Sequence, residues 1–176
     1  MLLFLPQIIK QLGLTNMQVG WVTMIPYLCA VGAMLAWGWL SDRLGERRWT
    51  LSFACLVSAI GLVITAQSLG TVWALVGMSI AAMGFYGSKG PFWSIPSMIL
   101  TGTAAASGIA WINSVGNLGG FFGPTIVGWT KDYTGSFASG LYVLAGFALL
   151  SAVVSAFGLR IANPAARQEM AGVPAE

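Results

Sequence analysis

Histidine is absent from this chain, cysteine occurs only at Cys29 and Cys55, and charged residues are scarce. Without histidine there is no Ser-His-Asp arrangement and no imidazole ligand, so no metal site and no cofactor are expected. Both cysteines lie inside apolar runs and read as packing residues. No G-x-S-x-G string occurs. The neighbours Ser88 and Lys89 cannot act as nucleophile and base, because adjacent helical residues point about 100° apart. An enzyme is therefore not expected. Charged residues make up 7% of the 176 positions, against about 25% in an ordinary soluble domain. Eight basic and five acidic side chains cannot cover a soluble protein of this length. The net charge of +3 has its arginines at helix ends rather than in a patch, so no nucleic-acid partner is expected.

What is present is apolar. The apolar share is 57% and the mean hydropathy is +0.80. Five runs are long enough to cross a hydrocarbon core of about 30 Å, which takes roughly 20 helical residues. They cover about 19–40, 49–66, 72–98, 104–127 and 137–159. The third carries Lys89 and is interrupted by Pro91 and Pro96. Residues 1–9 are too short and read as the end of a further span. They lack a basic leader and a small-residue cleavage site, so no signal peptide is expected. The expectation is an all-α integral membrane unit over 1–160, one partial and five full transmembrane helices, and a polar tail over 161–176.

The segment from Gly38 to Arg48 holds Asp42, Arg43, Glu46, Arg47 and Arg48, five of the chain's charges, between two apolar runs. Such a loop must lie in water, and its arginines favour the cytoplasm. Counting crossings puts Arg160 and Arg167 on the same side, with Lys10 and Lys131 opposite. The loop at 41–48 and the C-terminus are therefore expected in the cytoplasm, in a multi-pass protein of the inner (plasma) membrane. Gly38-Trp39-x-x-Asp42-x-x-Gly45 recurs ninety positions later as Gly128-Trp129-x-x-Asp132-x-x-Gly135. Three crossings separate the copies, as an inverted-topology repeat would require. Chance could also match four residues in a chain rich in Gly and Trp.

The loop pattern G-x-L-x-D-R-x-G-x-R-R resembles the signature loop of the major facilitator superfamily of secondary transporters. The stretch from Ala104 to Pro124, with Asn113-Ser114-Val115-Gly116-Asn117-Leu118-Gly119-Gly120 at its centre, is similar to the eleventh helix of the anion:cation symporters, the tartrate, phthalate and sugar-acid permeases. Pro91-Phe92-Trp93-Ser94-Ile95-Pro96 resembles the end of their tenth helix, and Leu5-Pro6 and Pro26-Tyr27 resemble their seventh and eighth. The resemblance runs from Leu2 to Gly158 and implies the C-terminal six-helix half of a twelve-helix transporter. It implies alternating-access transport of an organic anion, a carboxylate or sugar acid, by symport with a cation, a proton. Implied partners are that anion and cation, the lipid bilayer and the N-terminal half. Two alternatives stay open: a transport-incompetent fragment, and a carrier of an uncharged metabolite.

Candidate site residues follow from chemistry inside the spans. Asn113, Gly116, Asn117 and Gly120 share one helical face. Carboxamides in a membrane need partners, so this face looks onto a substrate path or a neighbouring helix. The G-x-x-x-G pairs Gly116/Gly120 and Gly119/Gly123 would admit a second backbone. Lys89 shares a face with Tyr86, Gly90 and Trp93, and a cation between aromatics suits a carboxylate. Snorkelling to the cytoplasmic interface is the other reading of Lys89. No carboxylate lies inside a span, so a proton-titrating acid is expected in the other half. In the loop, Gly38, Asp42, Arg43, Gly45, Arg47 and Arg48 are the gating candidates. Asp42 is expected to lock the helix ends, and Arg47 and Arg48 to pair with acidic groups or lipid phosphates.

Overall fold

The computed structural model describes residues 4–158, apart from the side chain of Ile99. The polar tail over 161–176, with its expected cytoplasmic placement, lies outside the described residues, as do Arg160 and Arg167. Among the described residues the fold is all-α, without a strand. Seven helices follow in order: α1 (Leu5–Lys10), α2 (Asn16–Leu44), α3 (Arg47–Gln67), α4 (Val72–Gly87), α5 (Lys89–Ile99), α6 (Gly102–Thr134) and α7 (Phe137–Val153). A π-helical turn, Val154–Gly158, prolongs α7. Asn16–Leu44, Arg47–Gln67 and Phe137–Gly158 are long and apolar enough by themselves to cross a membrane. α6 has 33 residues, but serine, threonine and asparagine dilute its apolar run.

Local chemistry explains where the helices depart from the apolar runs. α2 begins at Asn16 rather than 19, because Thr15 and Gln18 form a capping box. The Gln18 N–H donates to Thr15 Oγ1 at 3.4 Å, and the Thr15 N–H donates to Gln18 Oε1 at 3.0 Å. The run over 72–98 is two helices, parted at Ser88. Pro91 has no N–H to offer the Gly87 carbonyl, so the ladder fails there. The ladder is intact on either side of that gap, where the Ser88 N–H donates to the Gly84 carbonyl and the Phe92 N–H to the Ser88 carbonyl, both at 3.0 Å. α4 alone has 16 residues, about 24 Å of helix.

Packing centres on α3, which lies against α4 on one side and α7 on the other, while α2 covers α4. The contact between α3 and α4 is made by small residues. Ala54, Ser58, Gly61 and Thr65 recur at three- and four-residue spacing, opposite Gly77, Ala81 and Gly84. A Cβ at Gly77 would stand 2.7 Å from the Thr65 backbone nitrogen. Backbones this close gain dispersion contacts along their whole length, the main attraction between helices in lipid.

The buried core gathers helix ends from one end of the bundle. Leu5, Ile8 and Ile9 of α1 meet Val19, Leu62, Ala66, Met78, Val127, Phe137 and Leu141. At the opposite end the Ser52 hydroxyl donates to the Ala152 carbonyl at 2.8 Å, tying α3 to the last turn of α7. The Gly38–Gly45 and Gly128–Gly135 copies therefore lie at opposite ends of the bundle. Each copy closes a helix with a left-handed glycine, Gly45 at φ 64° and Gly135 at φ 72°. The next helix begins two residues later in both, at Arg47 and at Phe137. Five of the exposed tryptophans lie toward the ends of the bundle, Trp39 and Trp49 at one and Trp21, Trp73 and Trp129 at the other, while Trp111 is exposed within α6. Two aromatic belts of this kind mark the levels of the lipid headgroups.

Gly77→Ala should cost about 1–3 kcal/mol, because the Thr65 backbone cannot yield without parting α3 from α4. Gly116→Ala, with nothing within 4 Å of the added Cβ, should leave stability unchanged. Thermal unfolding of the two variants by circular dichroism separates these outcomes, and equal midpoints would remove the seam from the stability argument.

Candidate functional site

The loop between α2 and α3 is fastened from within. Asp42 stands in the last turn of α2 and Arg47 at the first position of α3. Each charge is at the disfavoured end of its own helix dipole, so pairing relieves both. Arg47 Nη1 lies 2.5 Å from Asp42 Oδ1 and also donates to Ser41 Oγ at 3.0 Å. Asp42 is exposed and Arg47 largely covered, 69% against 21%, which keeps the pair's energy modest. Ser41 is fully buried, and its hydroxyl shares a hydrogen bond of 3.1 Å with Thr50 Oγ1. The Trp37 indole N–H donates to the Thr50 carbonyl at 3.1 Å. A carboxylate can only accept hydrogen bonds, so Asp42 does not cap the carbonyls that end α2. Gly45 closes the helix, and Asp42 acts on Arg47. Gly38 stands where α5 passes α2, since a Cβ at Gly90 would be 3.9 Å from the Gly38 Cα.

Lys89 opens α5 immediately after the break at Ser88. Its ammonium lies 4.8 Å from the centre of the Tyr86 ring and 5.4 Å from that of Phe85. The side chain thus folds back over the preceding turn, away from the Asp42 end. Each cation–π contact of this kind contributes about 0.5–1 kcal/mol. Lys89 has no carboxylate partner among the described residues. Tyr86 meets Tyr27 of α2 edge-on, with ring centres 6.5 Å apart. Trp93, on the same face by spacing, pairs its ring with Phe92 instead, at 5.2 Å.

Asn113 and Asn117 stand apart from this cluster. Residues 113–122 of α6 are exposed throughout, and neither carboxamide has a hydrogen-bond partner among the described residues. Gly116, Gly119, Gly120 and Gly123 face open space, so the backbone that their spacing would admit is not supplied by this chain. The structure brings Lys89 to Tyr86, as their spacing predicts, and adds Phe85 and Tyr27. Phe85 was readable as the residue four before Lys89. Tyr27 was not, because it reaches the cluster from another helix.

The chain matches the family profile described as Major Facilitator Superfamily over residues 1–173. It is 50% identical over 150 residues to a protein of Agrobacterium vitis provisionally named a tartrate transporter, covering 85% of this chain and 33% of that protein. It is 39% identical over 158 residues to the quinolone resistance transporter of Acinetobacter baumannii, covering 89% and 35%. The D-galactonate transporter of Escherichia coli is 28% identical over 150 residues, with 82% and 35% covered. The chain thus spans about a third of the length of these curated relatives. No solved structure matches it significantly.

Asp42→Asn and Arg47→Gln should each loosen the α2–α3 hairpin, and their costs should be less than additive. The expected coupling is about 0.2–1 kcal/mol, shrinking in 1 M salt, where the screening length falls to about 3 Å. Strict additivity in a double-mutant unfolding cycle would mean that the ion pair contributes nothing.

Proposed function

Since the chain belongs to the Major Facilitator Superfamily, we propose that it forms the C-terminal half of a transporter that carries a small organic anion through the inner membrane. The observation that supports this cargo is Lys89, a cation without a carboxylate partner among the described residues, folded back over Tyr86 and Phe85, with Tyr27 against Tyr86. An exposed ammonium held over aromatic rings favours a carboxylate as its partner. Tyr86 and Tyr27 offer phenol groups for a hydroxy acid, and Trp93 a flat apolar wall. Asn113 and Asn117, on the open face of α6, supply carboxamides to the same path from the far side. The names of the tartrate and galactonate relatives fit such a cargo.

Transport requires a second set of helices to complete the path, which the N-terminal half would provide. If the coupled cation is a proton, its titrating acid belongs to the other half, since no carboxylate lies in the apolar spans of this chain. The hairpin held by Asp42 and Arg47 would act as a catch on one conformation in the alternating cycle. A second reading keeps transport and changes the cargo, because the Acinetobacter relative is named for quinolone resistance. A flat aromatic cargo would depend on Tyr27, Tyr86 and Phe85 and be indifferent to the charge of Lys89.

In the complete transporter, Lys89→Gln should weaken carboxylate binding about tenfold to a hundredfold, the equivalent of one charge-assisted hydrogen bond. Lys89→Arg should retain part of it. Binding undiminished in Lys89→Gln, measured by calorimetry, would remove the lysine from the site. Orientation is tested separately. Single cysteines at Glu46 and Asp132, both exposed, in a background lacking Cys29 and Cys55, should react with an impermeant maleimide from opposite sides, position 46 only after the cells are opened. Labelling of both from outside would reject the cytoplasmic placement of the loop.

A further inference from the structure

The pair with Asp42 uses one of the three arginines around the α2–α3 turn, and the other two rest on tryptophans. The Arg43 guanidinium lies 5.1 Å from the centre of the Trp39 ring, and that of Arg48 lies 4.9 Å from that of Trp49. Both indoles are exposed at the same end of the bundle, at headgroup level. Neither Arg43 nor Arg48 has a carboxylate partner among the described residues. Arg48 Nε is moreover a buried donor without an acceptor among the described residues. A buried donor left unmade is costly, more so when charged, so Arg48 has donor capacity to give to an acceptor.

Next to it runs an apolar cleft of about 180 Å³, lined by Trp37, Leu40, Leu44, Trp49, Thr50 and Phe53. Trp37 and Phe53 stack at 5.8 Å within this lining. The polar atoms of the lining are already engaged. Trp37 Nε1 donates to the Thr50 carbonyl, and the Thr50 hydroxyl donates to the Glu46 carbonyl at 2.7 Å. What the cleft offers an occupant is hydrocarbon, and Arg48, over the Trp49 ring that lines it, brings positive charge to its side.

We propose that this cleft and its two arginines bind one anionic phospholipid, with the phosphate on Arg48 and an acyl chain along Leu40, Leu44 and Phe53. Arg43, one turn beyond Trp39, adds the second positive charge that favours a net-negative headgroup over a zwitterionic one. A free phosphate would satisfy Arg48 and leave the cleft empty. A neutral lipid would fill the cleft and carry an ammonium toward two guanidinium groups. The proposal concerns the loop alone and is independent of the transported cargo.

Native mass spectrometry of the full-length protein in mild detergent, offered equal phosphatidylglycerol and phosphatidylcholine with the same acyl chains, tests it. Phosphatidylglycerol should be retained in preference. Arg48→Gln should cut that preference about fivefold, and Arg48→Gln with Arg43→Gln about thirtyfold, at roughly 1 kcal/mol per arginine near an anionic headgroup. Leu44→Trp, which fills the cleft, should lower retention of both lipids. Arg48→Lys, which keeps the charge and disturbs the fold least, should keep most of the preference. Equal retention of the two lipids by the unaltered protein would overturn the proposal. So would an undiminished preference in the double variant at native helicity, or a lost preference in Arg48→Lys. Displacement of the lipid by millimolar inorganic phosphate would also overturn it, identifying a site for free anions instead.

Discussion

The close approach of α3 to α4 is the constraint on which the rest of the bundle depends. Between helices in lipid there is little hydrophobic force to gain, so attraction must come from surfaces that fit. Gly61, Gly77 and Gly84 remove the side chains that would hold the two backbones apart. With that pair fixed, α7 settles on the free side of α3 and α2 on α4. The break at Ser88 then carries α5 past Gly38, and Lys89 comes to lie over Tyr86 rather than pointing toward the headgroups.

Much of this was legible in the residues, and the failures have physical causes. The charged loop, its glycine stop and its repeat at Gly135 were readable because a left-handed helix end and a run of charge leave local marks. The seam between α3 and α4 was not, because Ala54, Ser58 and Thr65 interleave with Gly61 and no G-x-x-x-G marks α3. The pattern that does carry such marks, Gly116 to Gly123, faces open space in this chain. A spacing rule tells which face can be approached and is silent on what approaches it. The same limit applied to Lys89. Its helical neighbours were predictable from spacing of three and four, whereas Tyr27 reaches one of them, Tyr86, through tertiary packing. Trp93 met the spacing rule and turned to Phe92 instead.

Two surfaces of the molecule differ in kind. Around Lys89 the polar group is supported by rings of its own chain, so a ligand would find the cation already oriented. Along α6 the two asparagines are unsupported: both are exposed and neither carboxamide has a partner among the described residues. A carrier assembled from two halves has this division built in: one wall is preformed and the other is completed by its counterpart.

The two glycine-closed hairpins have one backbone design and two chemistries. Where the first places Arg47, the second places Phe137, ninety positions on. Parting α2 from α3 at Gly45 means breaking an ion pair whose carboxylate already touches solvent. Parting α6 from α7 at Gly135 means baring Phe137, which is 3% exposed and wedged among Leu5, Ile9 and Leu141. The first separation is resisted by a force that ions screen, the second by one that grows with every square ångström uncovered. Ionic strength therefore acts on the two ends unequally: salt weakens the ion pair at the charged end and leaves the packing around Phe137 untouched.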